Sequence, residues 1–269
     1  MDVRKRLIKI AQRRKVIRKL WLKKENKLKI GSSVLIAENI HFRNNAVFLE
    51  GPGQNVLVDS EGYCRDTRIV MRGEENKLHI SGSSVLSENT SVAVRGKRNR
   101  IVIEPGCSIR NCSIFIAGND NNVIFRGENS AFGLDIHIEE DGNLADIGRA
   151  TSFHGRDGQH IELALDEASA IRLGADCMLS SGIRMRSSDS HSIVDMAGSR
   201  LNHAEDIIIG DHCWIGLNAI LLKGTCIPAH CIVGAGAVAA RSFEREHCVI
   251  AGNPATVVRE GVDWDRKLV

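Results

Sequence analysis

Histidine is the side chain best suited to moving a proton near neutral pH, and the chain has ten of them. His191 stands apart by its surroundings. It closes the polar run Ser187-Ser188-Asp189-Ser190-His191, and polar sequence continues through Ala204. An imidazole on such a segment can take the proton of a hydroxyl as that oxygen attacks a carbonyl. Asp189 and Asp195 flank it. Either carboxylate could orient the ring or bind hydroxyl groups, and both equally suit solvated turns. A lone loop histidine is usually just exposed, so the element that carries this one has to decide.

That element is a repeat. Aliphatic residues recur every six positions at Leu173, Leu179 and Met185, and again at Ile209, Ile215, Leu221, Ile227 and Val233. A small or compact residue follows most of them by four positions (Cys177, Ile183, Cys213, Ala219, Thr225, Cys231, Ala237), and Gly174, Gly210, Gly216 and Gly234 follow directly. Six is neither a helical nor a hairpin period. It predicts a triangular coil in which each hexad makes one flat side and a corner, with the aliphatic residue inside, the small residue near the corner, and glycine helping the backbone turn. The frame lapses between Met185 and Ile209, so His191 is expected on a loop leaving a rigid scaffold.

Before residue 170 the repeats are longer. Asn26-Lys27-Leu28-Lys29-Ile30 is echoed by Asn76-Lys77-Leu78-His79-Ile80, and more weakly from Asn99 and Asn121. These read as short alternating strands entered through asparagine turns, since asparagine tolerates left-handed backbone angles. Strands at a fixed period without helical patterning point to a solenoid. A core of 43% hydrophobic but only 4% aromatic residues suits narrow stacked layers.

The net charge of +3 hides an asymmetry. Residues 1–24 hold eleven Lys or Arg against Asp2 alone, which leaves 25 basic and 32 acidic residues elsewhere. Val3, Leu7, Ile10, Ala11, Ile17, Leu20 and Trp21 recur at helical spacing within this segment. A short basic amphipathic α-helix is expected there, packing on the body or lying on an anionic membrane surface. The acidic body argues against nucleic acid. With no signal-peptide pattern and no apolar run of the ~18 residues that span a bilayer, the eight cysteines are expected reduced and the protein cytoplasmic, with the membrane's inner face a further location for it.

The segments Cys177–Ile193 and Asp206–Gly216, followed by Val233-Gly234-Ala235-Gly236-Ala237-Val238 and Ala251-Gly252-Asn253-Pro254-Ala255, resemble the hexapeptide-repeat acyltransferases. Within these, they resemble the branch of galactoside acetyltransferase and the sugar O-acetyltransferases of capsule and lipopolysaccharide loci. The specific likeness covers about residues 170–260. It implies a left-handed parallel β-helix and a homotrimer, with acetyl-CoA in a groove between neighbouring helices. It also implies direct transfer to an acceptor hydroxyl with a loop histidine as base. On this reading residues 1–24 are the basic helix and 25–170 irregular β-helical coils. Residues 171–258 form the hexapeptide-repeat helix with its catalytic loop at 186–208, and 259–269 a tail.

Carried onto this chain, the resemblance makes His191 the general base and Asp189 its catalytic neighbour. Asp195 and Asn202 become acceptor contacts. Trp214 is placed beside the acyl-donor groove, Gly216 and Ala235 along the pantetheine arm, and Arg241 and Arg259 near the CoA phosphates. His154, His160, His203, His212 and His230 raise the question of zinc, because a β-helical hydratase of the gamma carbonic anhydrase type shares the fold. Their spacing does not match its pattern, and no metal is expected. The function expected is acetyl-CoA-dependent O-acetylation of a sugar hydroxyl in a surface polysaccharide or its precursor. N-acetylation of an amino sugar, free or nucleotide-linked, is the alternative in chemistry. A non-catalytic glycan-binding or scaffolding β-helix is the alternative in class.

Overall fold

The structure, a computed structural model, describes residues 27–29, 33–37, 42–59, 61–156 and 158–268. The basic helix expected over residues 1–24 lies outside these residues, and the described residues contain no helix. They wind as a left-handed parallel β-helix. Its three faces are sheets of ten, nine and eleven strands, parallel but for the last pair, and the chain visits them in rotation as far as the closing hairpin.

The six-residue frame corresponds to the prism interior. Leu173, Ile209 and Ile227 stack in the second sheet, Leu179, Ile215 and Val233 in the third, and Met185 and Leu221 in the first. All are buried, as are the small residues four positions on. The same inward columns continue into the earlier coils: Val47, Ile69, Val92, Ile114, Ile136 and Leu163 stack beneath Met185. Adjacent coils sit about 4.8 Å apart, so each aliphatic side chain touches its counterparts above and below.

Glycine after a frame residue has a different cause from the one expected. Gly210 does not adopt a left-handed backbone. A Cβ there would stand 2.5 Å from the backbone nitrogen of Ala229 in the next coil. Close approach of stacked backbones, rather than the turn itself, excludes a side chain.

The asparagine expectation is corrected as well. Asn76, Asn99, Asn121 and Asn143 have ordinary backbone angles, and the left-handed residues are their neighbours Glu75, Arg98 and Asp120. The asparagines are buried and form an amide ladder. The Oδ1 of each of the first three accepts from the backbone N–H and Nδ2 of the asparagine one coil on, as in Asn99 to Asn76 at 3.0 and 2.9 Å, and that of Asn143 accepts from the Ser169 N–H. Each spare N–H donates to a corner carbonyl, as Asn99 does to Gly118 at 2.8 Å. A buried amide can be satisfied this way only where the coil is wide enough to admit it.

All eight cysteines are unpaired. Cys107, Cys177, Cys213, Cys231 and Cys248 occupy one corner column, shared with Ser84, Asn129 and Thr151. Burial pushes the Cys64 thiol up to about 12 and Cys112 up to about 11, which suits small core residues rather than nucleophiles. The helix ends in an antiparallel hairpin, Cys248–Gly252 with Ala255–Glu260. The segment after it folds back on the outside of the coils: Arg266 donates to Ser152 and to Asp176.

Candidate active site

The regular register locates the loop. Ile220 pairs with Val238, one 18-residue coil away, but Arg184 pairs with Ile220 across 36 residues. A whole coil's worth of extra chain therefore leaves the prism between the strands Arg184–Arg186 and Ile207–Ile209. It leaves at the edge between the first and second sheets and returns to the same edge.

The loop is braced at its root and tied across its middle. At the root, the buried Ser187 hydroxyl accepts from Ser169 at 2.6 Å, where the amide ladder ends. Ser188 donates to Glu167 at 2.6 Å, and Arg200 reaches the same Glu167 oxygen at 2.7 Å. Those two donors, Arg200 first, hold the Glu167 carboxyl down at about 2. Across the middle, the Asn202 amide donates to Asp189 at 2.7 Å and to the His191 carbonyl at 2.8 Å, and accepts from the Ile193 N–H at 2.6 Å. Lys223, on the next coil, donates to Asp189 at 2.6 Å. Its ammonium, then Asn202, lowers the Asp189 pKa.

These contacts place the expected site residues. His191 is exposed at the bend, next to Ser190 in a left-handed conformation (φ 60°). Asp189 is committed to Lys223 and Asn202, and among the described residues it makes no hydrogen bond to the imidazole. Its geometry is that of a loop brace. Asn202 is buried with its amide wholly engaged inside the loop. Asp195 closes a turn by accepting from the Ala197 and Ser199 N–H groups, each at 2.8 Å. Sequence reasoning missed Lys223, Glu167 and Arg200. The signal for Lys223 is that it turns the same corner as Ser187 one coil on, which is visible only once the register is known.

The residues expected at the cofactor fall on other parts of the prism. Trp214 lies on the third sheet, partly exposed, its indole donating to Ser180 at 3.4 Å. Gly216 and Ala235 are stacked neighbours, since a Cβ on Gly216 would meet the Ala235 nitrogen at 2.7 Å. Arg259 is exposed on the closing hairpin of the same sheet. Arg241 instead follows the first-sheet strand Val238–Ala239, on the loop's edge, with its guanidinium over Phe243. Within one chain, then, His191 and Trp214 do not share a face.

A second polar cleft opens at the opposite edge of the first sheet, about 740 Å³ in volume, with Asp135, His160, Glu162, Arg184 and Asn218 in its lining. His160 Nδ1 lies 2.8 Å from Asp135 Oδ2, which makes it the rival histidine for any proton-transfer role.

A parallel triangular solenoid with one coil-length polar loop defines the class to which the chain belongs. No protein-family model matches it. A polysialic acid O-acetyltransferase of Neisseria meningitidis is 35% identical over 198 residues, covering 73% of this chain and 89% of that protein. A polysialic acid O-acetyltransferase of Escherichia coli O1:K1 / APEC is 30% identical over 140 residues, covering 52% of this chain and 43% of that protein. Among solved structures, the polysialic acid O-acetyltransferase OatWY superposes with a TM-score of 0.66 at 28% identity, covering 83% of this chain and 93% of that one. The polysialic-acid-specific acetyltransferase NeuO gives 0.64 at 27%, covering 83% and 89%. The chain belongs to the hexapeptide-repeat acyltransferase family, in the branch of the capsule and lipopolysaccharide sugar O-acetyltransferases, and is an acetyltransferase.

Proposed function

We propose that the chain transfers an acetyl group from acetyl-CoA to a hydroxyl of a surface polysaccharide or its precursor, with His191 as general base. The observation that carries this is a histidine held out on a braced loop of one coil length, in a chain akin to polysialic acid O-acetyltransferases. The imidazole takes the hydroxyl proton as the oxygen attacks the thioester carbonyl. The C–O bond forms, the C–S bond breaks, and the imidazolium returns its proton to the departing thiolate. Asp189, Asn202 and Lys223 act as positioning residues that fix where the ring sits.

Trp214, Gly216 and Ala235 with Arg259 suit a groove for the pantetheine arm and phosphates. Since His191 lies on another edge of the prism, the site is completed between copies, in a homotrimer. The loop tip suits such a contact: Ile193, Val194, Met196 and Leu201 are all more than half exposed. The earlier coils suit a polymeric acceptor. Phe48, Phe115 and His137 lie in one outward column of the first sheet, with Arg68 and Arg95 over the two phenyl rings. Residues 1–24 would bring the enzyme to a membrane surface, which co-sedimentation with anionic vesicles, with and without that segment, would test.

The deciding experiment measures acetyl transfer to candidate glycans by mass spectrometry. His191→Ala should lower kcat by roughly 10²–10⁴-fold, the usual contribution of a general base, while acetyl-CoA still binds. His160→Ala should keep turnover. Co-expressing His191→Ala with Trp214→Ala chains should recover part of the activity that each loses alone. Full turnover in His191→Ala, or absence of acetyl-CoA binding, would reject the reading.

A further inference from the structure

We propose that His212, His230 and Asp263, with His247 as the fourth donor, form a binding site for a divalent transition metal of the zinc class, which staples the C-terminal segment to the last coils. The β-helix itself builds the histidine part. One residue per coil occupies a left-handed corner position just ahead of the cysteine column, and three successive coils place histidine there (φ 52°, 58° and 57°). Stacking of coils then stacks the rings, with centroids 5.2 Å apart for His212 and His230 and 4.6 Å for His230 and His247.

The returning chain sets Asp263 against all three. Its carboxylate lies 3.1 Å from His230 Nδ1, 3.5 Å from His212 Nε2 and 3.6 Å from His247 Nδ1. The donor atoms of His212, His230 and Asp263 all lie within 4.8 Å of one another. Tetrahedral zinc, with bonds of about 2.0–2.1 Å, holds its donors about 3.3 Å apart, which these exposed and half-exposed side chains reach by small rotations.

A second observation comes from behind the ring. Asp176 Oδ2 sits 2.7 Å from His212 Nδ1, and the Arg266 guanidinium sits on the same carboxylate. A carboxylate on the far nitrogen is the usual device that fixes a metal-binding imidazole in its tautomer. With Nδ1–H donated to Asp176, the neutral ring points its Nε2 lone pair at the Trp264 carbonyl, 3.1 Å away, and at Asp263. A bound cation would take the Nε2 of His212, the Nδ1 of His230 and the Asp263 carboxylate as ligands.

The consequence is local. Trp264, stacked on His212 at 4.5 Å and 6.3 Å from Trp214, would be fixed by the metal. Because a metal that binds only the docked arrangement stabilises it, chelation should loosen the segment after Gly261.

The test uses the full-length, untagged protein with ZnCl2 and CoCl2 as probes. The wild type should retain one zinc per chain after dialysis into metal-free buffer, and with Co2+ should show the intense visible bands of a tetrahedral site. His230→Ala and Asp263→Asn should each weaken zinc binding at least tenfold. His137→Ala, which removes an exposed histidine on the first sheet, should leave it unchanged. A wild type that retains no zinc overturns the proposal whatever the variants do. So does a loss in His137→Ala as large as in His230→Ala, which would mean scattered surface binding.

Discussion

The wide coils and the narrow coils of this one prism solve the same corner in different ways. Between the first and second sheets, the early coils turn through segments such as Gly73-Glu74-Glu75-Asn76 and Gly96-Lys97-Arg98-Asn99, and the coils from Ala46 to Asp135 are 22 or 23 residues long. The glycines are obligatory: a Cβ on Gly73 would lie 1.9 Å from the Gly96 carbonyl oxygen. The late coils turn the same corner with Lys223-Gly224 and need 18 residues. The loop bearing His191 grows from this edge, at the coil where the amide ladder passes to Ser169 and Ser187 and ends. The corner between the second and third sheets stays tight throughout, and the corner between the third and first does so except at residues 155–160, which add five residues to one coil. The edge between the first and second sheets thus carries the largest excess of chain, and the loop is the extreme case.

The comparison predicts that the loop can be removed without cost to the prism. Replacing residues 187–206 by Lys-Gly, the pair that turns this corner one coil on, should give a regular 18-residue coil. Acetyl transfer should vanish while circular dichroism keeps its β signature and the melting temperature moves by only a few degrees. Unfolding of this variant would show that the loop is part of the scaffold. Next in size is the ladder. Asn99→Ala strands the Gly118 carbonyl and the Asn121 amide in the interior, and should destabilise by about 2–6 kcal/mol at about 1–3 kcal/mol per orphaned group. Thr225→Ala, at the same corner of a narrow coil, loses hydroxyl bonds to the Leu222 and Ala239 carbonyls. It should cost about half as much, since the backbone can partly recover those partners. Denaturant midpoints would rank the two, and equal costs would remove the distinction between the coil types.

Much of this was legible in advance because the narrow coils leave the sequence no freedom. A hexad that must alternate one inward aliphatic with one small corner residue shows its period directly, and the lapse after Met185 marks the loop. The wide coils were half legible. Their period appears in Asn76, Asn99 and Asn121, but the same residue type serves a left-handed turn or a buried ladder, and only packing separates the two. The site divides similarly. His191 could be read from its run, whereas Lys223, Glu167 and Arg200 reach the loop through the register of neighbouring coils and across a 33-residue span. Asp189, expected beside the imidazole, turns out to face Lys223, a cation that no local spacing reveals.

That brace sets a third prediction, smaller than the first two. Lys223→Met keeps the stem and removes the charge, so Asp189 and, through Asn202, the His191 backbone lose one restraint. The expected result is a fall in kcat of about tenfold, roughly 1.4 kcal/mol of transition-state stabilisation. Melting temperature and KM for acetyl-CoA should hold, and Lys223→Arg should rescue part of the loss. An equal fall with both substitutions would mean that the site needs lysine itself rather than a cation.

The smallest effect concerns acid. Glu167 titrates at about 2 in the folded loop against an ordinary 4.5, because Arg200 and Ser188 hydrogen-bond its ionised form. A group whose folded value is depressed stabilises fully above its ordinary value and loses that stabilisation as pH falls toward the folded one. The loop root should therefore hold at pH 5, weaken from about pH 4.5 downward and be free near pH 2, while the aliphatic prism, which has no such titrating core, persists. Pepsin, active over this range, has Ile193 to Leu201 as its exposed apolar target. Cleavage there should rise steeply between pH 4 and pH 2 in the wild type. In Arg200→Gln cleavage should already be raised at pH 5 and should climb less between pH 4 and pH 2, because the carboxylate has lost the donor that holds its pKa down most. If both proteins are cut with the same pH profile, the Glu167 strut does not hold the loop, and the tie through Asn202 and Lys223 must carry it alone.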